Sequence, residues 1–208
     1  MNQQKYFSIV IPTMWKSDFL KEMLDLYENC ELVKQVIIID NKPQDKFDLS
    51  KYKKIIYWTK GRNIFVNPAW NIGAKLAKYN LILANDDILI KNIYDVLLEI
   101  SSSDYDIIGI SWEDVDNLKI EPIIEFPKKG YGCFMYIKKY VYIPRELKIW
   151  RGDYIQFVNS QKKGILMNPK LLGNLSETVR SSSEFTEIAK NDFIVFNNLI
   201  EEKKIKLE

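Results

Sequence analysis

Two adjacent carboxylates follow a strongly apolar stretch near the middle of the chain. Residues 80–90 read NLILANDDILI, so Asp86 and Asp87 stand between two short apolar runs. Two like charges about 4 Å apart repel by roughly 4 kcal/mol at an effective dielectric constant of 20. We therefore expect a cation or a set of hydrogen-bond donors to offset the charge of this pair.

The residue types that are missing narrow the chemistry further. The 208 residues include no histidine, which excludes a Ser-His-Asp triad, a Cys-His dyad and a zinc site with imidazole ligands. Proton transfer must then fall to a carboxylate, lysine, tyrosine or cysteine, and a bound metal should be a hard cation held by oxygen. Cys30 and Cys133 lie in apolar stretches, where we expect buried thiols rather than a disulfide.

Charge and hydropathy limit the partners. The 30 basic and 28 acidic residues leave a formal net charge of +2, which argues against nucleic-acid binding by bulk electrostatics. The apolar run at 7–11 is closed by Pro12 and is too short for a signal-peptide core, and no other stretch approaches the roughly 18 apolar residues of a membrane span. We expect a soluble, cytoplasmic protein with no membrane span.

Strand-like and helix-like patterns alternate through the first half of the chain. The predicted strands are 7–11, 35–40, 53–58, 80–84 and 106–111. The predicted helices are one capped by Ser17, with Phe19, Leu20, Met23, Leu24 and Tyr27 on one face, and two more at about 68–78 and 92–100. Strands that are apolar on both faces and alternate with helices indicate an α/β fold with a mostly parallel central sheet and helices on both faces.

The second half is less regular, and the length favours a single domain over residues 1–208. Its predicted elements are a mobile loop at 111–122, a glycine-led strand at 130–139, a short helix within 150–164 that ends near Gly164, and a terminal helix in which Ser181 and Glu184 are spaced like a capping box.

Several polar residues fall where parallel strands end. Ligands of such sheets bind beyond the carboxyl ends of the strands, so Thr13, Asp40 and the Asp86-Asp87 pair should converge on one edge. Asp40 could accept the imide proton of uracil with Asn41 flanking the base, or it could start a turn. Thr13 could hydrogen-bond the base, or simply end its strand.

Three more polar residues are candidates at the same edge. The planar fork of Arg62 suits phosphate, although this arginine could also be a solvated surface residue, and Asn63 suits a base or a ribose. Asn71 could hydrogen-bond the loops that hold a nucleotide, or be a helix-surface amide.

Three ordered blocks over residues 7 to 88 resemble the family-2-like glycosyltransferases of the GT-A fold. The stretch FSIVIPTMWKSDFLKEMLDL, followed by VKQVIIIDNKP, resembles the family's opening, and NIFVNPAWNIGAKLAKYNLILANDDI resembles its asparagine-glycine segment leading into an Asp-x-Asp-type motif. On this resemblance Asp87 binds Mn²⁺ or Mg²⁺ that bridges the donor diphosphate, and Asp86 contacts the ribose or the metal shell. The alternative for the pair is a strand-end turn or a helix cap.

The later half resembles the family more loosely. GYGCFMYIKKYVYIPRELKIWRGDYIQF is similar to the segment in which a glycine-led strand precedes the catalytic base, which makes Asp153 the candidate base of an inverting transfer. Its alternative role is to cap the helix YIQFVNS. Many relatives carry a histidine further on, where this chain offers Asn174 or Ser176.

The resemblance implies a metal-dependent transfer of a sugar from a nucleotide diphosphate donor, UDP-sugar above all, to a hydroxyl of a glycan or another acceptor. Residues 1–90 would form the nucleotide-binding half, 105–180 the acceptor half and 181–208 a C-terminal helix, and a homo-oligomer or a partner domain could complete the acceptor side. A sugar-1-phosphate nucleotidylyltransferase is an alternative, but it should show a glycine-rich loop where this chain reads PTMWKSD. A non-catalytic nucleotide-sugar-binding subunit is the other alternative.

Overall fold

The chain folds around one large sheet, with a small two-stranded sheet beside it. The computed structural model describes residues 5–43, 47–113, 116–127, 130–173 and 183–202. The strands of the large sheet are β1 (Phe7–Thr13), β2 (Val33–Asp40), β3 (Ile55–Thr59), β4 (Asn80–Ala84), β6 (Ile107–Ile110), β7 (Lys119–Pro122), β8 (Phe134–Ile137) and β9 (Lys163–Met167). The small sheet pairs β5 (Ile88–Ile90) with β10 (Leu171–Gly173).

Five α-helices are described together with a 3₁₀ turn at Tyr131–Cys133. They are α1 (Leu20–Asn29), α2 (Val66–Leu76), α3 (Ile93–Ser102), α4 (Gly152–Val158) and α5 (Ser183–Glu201).

The strand order of the large sheet is β3-β2-β1-β4-β8-β6-β9-β7. Neighbours from β3 to β4 run parallel, as do β6 and β9, whereas the pairings of β4 with β8, β8 with β6, and β9 with β7 are antiparallel. The expected α/β fold with a mostly parallel sheet is confirmed. The carboxyl ends of β1, β2 and β4 consequently meet at one edge.

Helices cover both faces of the sheet, as the sequence predicts. Alternate residues of β1 enter different cores: Ile9 and Ile11 pack with α1 and α3, and Val10 packs with α2, α4 and α5. The predicted apolar face of α1 is buried through Leu20, Met23, Leu24 and Tyr27. The two-sided burial of the strands explains why they read as continuous apolar runs.

Two boundary predictions in the first half are wrong. β1 does not end at Ile11 but continues through Pro12, which lies opposite Ile39. β4 pairs with β1 only as far as Val10, so the missing amide hydrogen of Pro12 costs no ladder bond on that side. Ser17 does not cap α1, since its Oγ accepts the amide of Phe19, one residue ahead of the helix.

Short strands in the second half were missed. Part of the predicted loop 111–122 forms β7, and Gly164 lies in β9 rather than near a helix end. A strand of three to five residues that pairs with distant segments leaves little periodicity to detect. The predictions for Asn174, Ser176 and Ser181 lie outside the described residues.

Cys30 and Cys133 are both buried and do not form a disulfide, as expected. No helix in the described ranges has the length and apolar character that crossing a membrane requires.

Candidate functional site

Hydrogen bonds of Thr13 link the strand ends at the carboxyl edge of the sheet. Its Oγ1 donates to Oδ2 of Asp86 at 2.7 Å and accepts the amide of Trp15 at 2.9 Å. Its carbonyl oxygen accepts the amide of Asn41 at 2.8 Å, which ties the end of β1 to the end of β2. The structure therefore brings together the ends of β1, β2 and β4, as the strand pattern predicts.

A cavity of about 450 Å³ opens at this edge. That volume lies within the range of small-molecule sites, which occur preferentially at the carboxyl ends of such sheets. The described residues that line it are Pro12, Thr13, Met14, Lys16, Ser17, Asp18, Phe19, Asn41, Asn63, Phe65, Val66, Asn85, Asp86, Asp87, Ile149 and Phe185.

The acidic pair lies in the wall of the cavity, and Asp86 is in an environment that disfavours its ionised form. Burial raises the pKa of the Asp86 carboxyl from its ordinary 3.8 to about 6; the hydrogen bond from Thr13 opposes this rise and the charge of Asp87 adds to it. An ionised Asp86 is thus unfavourable in the protein alone. A cation placed beside the pair would stabilise the charged form.

The fit of a divalent ion can be judged from the donor set. Among the described residues, no three or more His, Cys, Asp or Glu side chains are grouped as a complete metal cage. Hard cations that bind phosphates need only one or two protein carboxylates, because phosphate and water supply the other oxygens. Asp86 and Asp87, both on the cavity wall, fit that partial role.

Asp40 lies at the end of β2 but does not line the cavity among the described residues. It is 1% exposed, and each carboxylate oxygen has a protein donor: the Tyr57 hydroxyl at 2.6 Å on Oδ2 and the Lys42 amide at 2.8 Å on Oδ1. The contact with Lys42, two residues on, is an Asx turn. The turn alternative for Asp40 is present, and the predicted contact with uracil remains a prediction.

The two predicted site residues in the loop after β3, Arg62 and Asn63, differ in their position relative to the cavity. Asn63 lines the cavity and accepts the amide of Phe65 on its Oδ1, whereas Arg62 is exposed and is not among the lining residues. Asn41 lines the cavity, is 5% exposed, and accepts the amide of Ile64 at 3.1 Å. Asn41 therefore fixes this loop against the edge of the sheet.

Asn71 lies away from the cavity and holds a different loop. Its Oδ1 accepts the Tyr140 hydroxyl at 2.8 Å and the Ile143 amide at 3.0 Å, and its Nδ2 donates to the Ile143 carbonyl at 2.8 Å. The residue is buried, so it is not a helix-surface amide. It fastens α2 to the connection between β8 and α4.

Asp153 is in the first turn of α4, and Arg151 occupies the cap position in its place. Burial raises the pKa of the Asp153 carboxyl above its ordinary 3.8, although the amide of Tyr154, bonded at 2.8 Å, opposes the shift. A Cβ on Gly132 would lie 2.6 Å from Oδ2 of Asp153, so the glycine lets the 3₁₀ turn close over the carboxyl. Asp153 is not among the described residues that line the cavity, but Ile149, four residues earlier, is.

Most of the other lining residues are not among the predicted site residues, and three of them are informative. Lys16 follows β1 and supplies a positive charge at the cavity, while Ile149 and Phe185 come from the segment before α4 and from α5. Lys16 could have been found from its place just beyond the end of a predicted strand. Nothing in the local sequence marks the other two, because only the tertiary fold brings them to the edge.

The structure has the fold of a known glycosyltransferase. It superposes with a TM-score of 0.58 on the mannosyltransferase PcManGT from Pyrobaculum calidifontis, whose structure was solved in complex with GDP-Man and Mn²⁺. Sequence identity is 9%, and the match covers 80% of this chain but only 57% of the mannosyltransferase. No protein-family model and no curated protein sequence matches the chain. The glycosyltransferase fold is shown, and membership of family 2 is not.

Proposed function

We propose that this protein transfers a sugar from a nucleoside diphosphate donor to an acceptor hydroxyl with the help of a divalent cation. The observation that carries the proposal is the half-buried acidic pair Asp86-Asp87, which lines a cavity at the carboxyl edge of the sheet and is tied to Thr13 through Asp86. The shared fold with a mannosyltransferase that binds GDP-Man and Mn²⁺ supports it.

The donor would occupy the cavity with its diphosphate near the acidic pair. Asp87 and Asp86 would hold Mn²⁺ or Mg²⁺, and a bound ion would neutralise the charge of the leaving diphosphate. Lys16, which lines the same cavity, would add a positive charge for the phosphates. Asn41 and Asn63, which also line the cavity, would contact the nucleoside.

Asp153 is the proposed general base. As the acceptor oxygen forms its bond to the anomeric carbon, the hydroxyl proton passes to the Asp153 carboxylate, and the bond from that carbon to the diphosphate oxygen breaks with its electron pair. The burial that raises the pKa of Asp153 increases its basicity. Attack in line with the departing diphosphate would invert the anomeric centre.

Two nucleotides are candidates for the donor, UDP and GDP. UDP is retained from the sequence prediction that the carboxylate of Asp40 pairs with uracil, a contact for which the Tyr57 hydroxyl or the Lys42 amide would have to give way. GDP enters beside it because the structural neighbour binds GDP-Man.

Donor hydrolysis and transfer should be measured with panels of UDP- and GDP-sugars, with and without Mn²⁺. We expect turnover of at least one donor that requires the ion and that Asp87→Asn reduces at least 100-fold. The matched control is Asp95→Asn, the same change at an exposed position of α3. Metal-dependent donor binding without turnover, unaffected by Asp153→Asn, would favour a non-catalytic binding subunit, and no binding at all would end the proposal.

A further inference from the structure

A short segment just before α4 is held from one side by a buried carboxylate. Asp192 of α5 accepts three successive backbone amides, those of Lys148 at 3.0 Å, Ile149 at 2.8 Å and Trp150 at 2.9 Å. Asp192 is fully buried. Residues 148–150 (the tethered segment) connect the cavity wall at Ile149 to the first turn of α4, which carries Asp153.

The same segment is also held by Asn67, in the first turn of α2. The Asn67 amide donates to the Lys148 carbonyl at 3.0 Å, and its Nδ2 donates to the Trp150 carbonyl at 3.0 Å. Asn67 is also fully buried. Amides and carbonyls of one three-residue segment are thus fixed by two buried polar residues on different helices, Asp192 through its side chain and Asn67 through its backbone amide and its side chain.

The next residue, Arg151, adds a further tie to α5. Its φ of 70° is in the left-handed region, and this turn directs the chain into α4. Its guanidinium lies 5.3 Å from the ring centroid of Phe193 and 5.4 Å from that of Phe196. The position of Asp153 therefore depends on contacts with a helix more than thirty residues further along the chain.

Burying a carboxylate is costly unless hydrogen bonds satisfy it, and the three backbone amides of residues 148–150 do so for Asp192. Residues held by such a buried contact are fixed in position, as the supporting residues of a functional site must be. The proposed transfer gives Asp192 no chemical role, because it neither lines the cavity among the described residues nor contacts Asp153. We infer that Asp192 is a positioning residue, which fixes the tethered segment and through it the general base Asp153. This inference rests on the proposed function.

The test is a double-mutant cycle between Asp192→Asn and Asp153→Asn in the full chain. The amide side chain is nearly isosteric, but its NH₂ group cannot accept the amides that now share the second oxygen. We expect Asp192→Asn to lower kcat about 100-fold, the scale for misplacing a catalytic group by about 1 Å, while donor KM changes less than threefold. In protein that already carries Asp153→Asn, the same change should alter the residual rate less than threefold.

Glu187→Gln is the matched control, because it makes the same kind of change at an exposed position of α5. It should leave kcat and KM unchanged in both backgrounds. If Asp192→Asn does not fold, Asp192→Glu replaces it; this variant keeps the carboxylate but displaces it, and the same coupling to Asp153 is expected.

Two outcomes overturn the inference while leaving the proposed function intact: an unchanged kcat, or equal losses of rate with and without Asp153. Absence of any turnover by the unmodified protein is different, since it removes the proposed function and the catalytic part of the inference together. Amide hydrogen exchange at residues 148–150 then still decides the structural part, because faster exchange in Asp192→Asn, and not in Glu187→Gln, is expected if Asp192 holds the segment.

Discussion

The acidic pair should make the metal-free protein less stable than it could be, and Asp86→Asn should reveal this. Burial raises the pKa of Asp86 from 3.8 to about 6. The folded state therefore binds the proton more tightly than the unfolded state, and stability falls as the pH rises from about 4 to about 6. Asparagine stays neutral and can still accept the hydroxyl of Thr13 on its Oδ1.

The magnitude follows from the size of the shift. A rise from 3.8 to about 6 is about two pKa units, and at about 1.4 kcal/mol per unit it corresponds to a penalty of about 3 kcal/mol above pH 7. For a chain of 208 residues this equals a rise in Tm of roughly 6 to 12 °C for Asp86→Asn at pH 8. The gain should shrink steadily below about pH 6 and vanish at about pH 3, below both pKa values, where aspartic acid is neutral in both states.

The assay is thermal unfolding of both proteins between pH 4 and pH 8 in the presence of a chelator. Asp106→Asn is a control of opposite sign, because the pKa of Asp106 is lowered, chiefly by the amide of Lys162. That variant should lose stability by a similar amount across the range from pH 8 to about pH 5, because the unmodified protein loses the contribution of Asp106 only as the pH falls below 3.8. A gain for Asp86→Asn that is equal at pH 4 and pH 8, or a loss at pH 8, would refute the account of Asp86. Added Mn²⁺ should stabilise the unmodified protein and not the Asp86→Asn variant.

Two further substitutions test neighbouring parts of the site. Gly132→Ala places a Cβ 2.6 Å from Oδ2 of Asp153, so we expect turnover to fall at least tenfold while donor affinity stays unchanged. An unaltered kcat would show that the carboxyl group of Asp153 can move aside without loss of activity. Asn71→Ala removes bonds to Tyr140 and Ile143, and we expect it to lower the free energy of unfolding by about 2 to 4 kcal/mol in urea titrations. Donor affinity of the folded Asn71→Ala protein should be unchanged, and a large loss would restore a role for Asn71 in holding the nucleotide.

The fold was predictable where local pattern and tertiary environment agree. β4 was placed with correct bounds because an apolar run buried on both faces ends abruptly at Asn85. β7, β9 and β10 were missed because their pairing partners are distant and two of them carry exposed residues. The continuation of β1 through Pro12 depends on which neighbouring strand extends that far, which the local sequence does not encode.

The residues of the candidate site were predictable where they lie at strand ends, and not where only the tertiary fold places them. Thr13 and the pair Asp86-Asp87 could be predicted because they lie at or just after the ends of strands, and the carboxyl ends of parallel strands meet at one edge of the sheet. The position of a residue at a strand end does not predict its hydrogen-bond partners, so the sequence could not show that the carboxylate of Asp40 accepts bonds from Tyr57 and Lys42. Asn67 and Asp192 are ordinary polar residues in amphipathic helices, and their function as buried anchors exists only after the helices dock.

Backbone strain gives an independent reason to place the functional region at this edge. Four described residues other than glycine have a positive φ, and three of them are bulky: Trp15, Phe65 and Arg151. Phe65, at φ 67° and ψ 178°, lies in the cavity wall in a region that is almost restricted to glycine. Trp15 is flanked by two lining residues, and Arg151 lies between Ile149 and Asp153. Each such conformation costs about 1 to 3 kcal/mol and persists only where surrounding contacts enforce it. Because three separate segments at or next to the cavity are strained, we infer that their position matters more than their local stability.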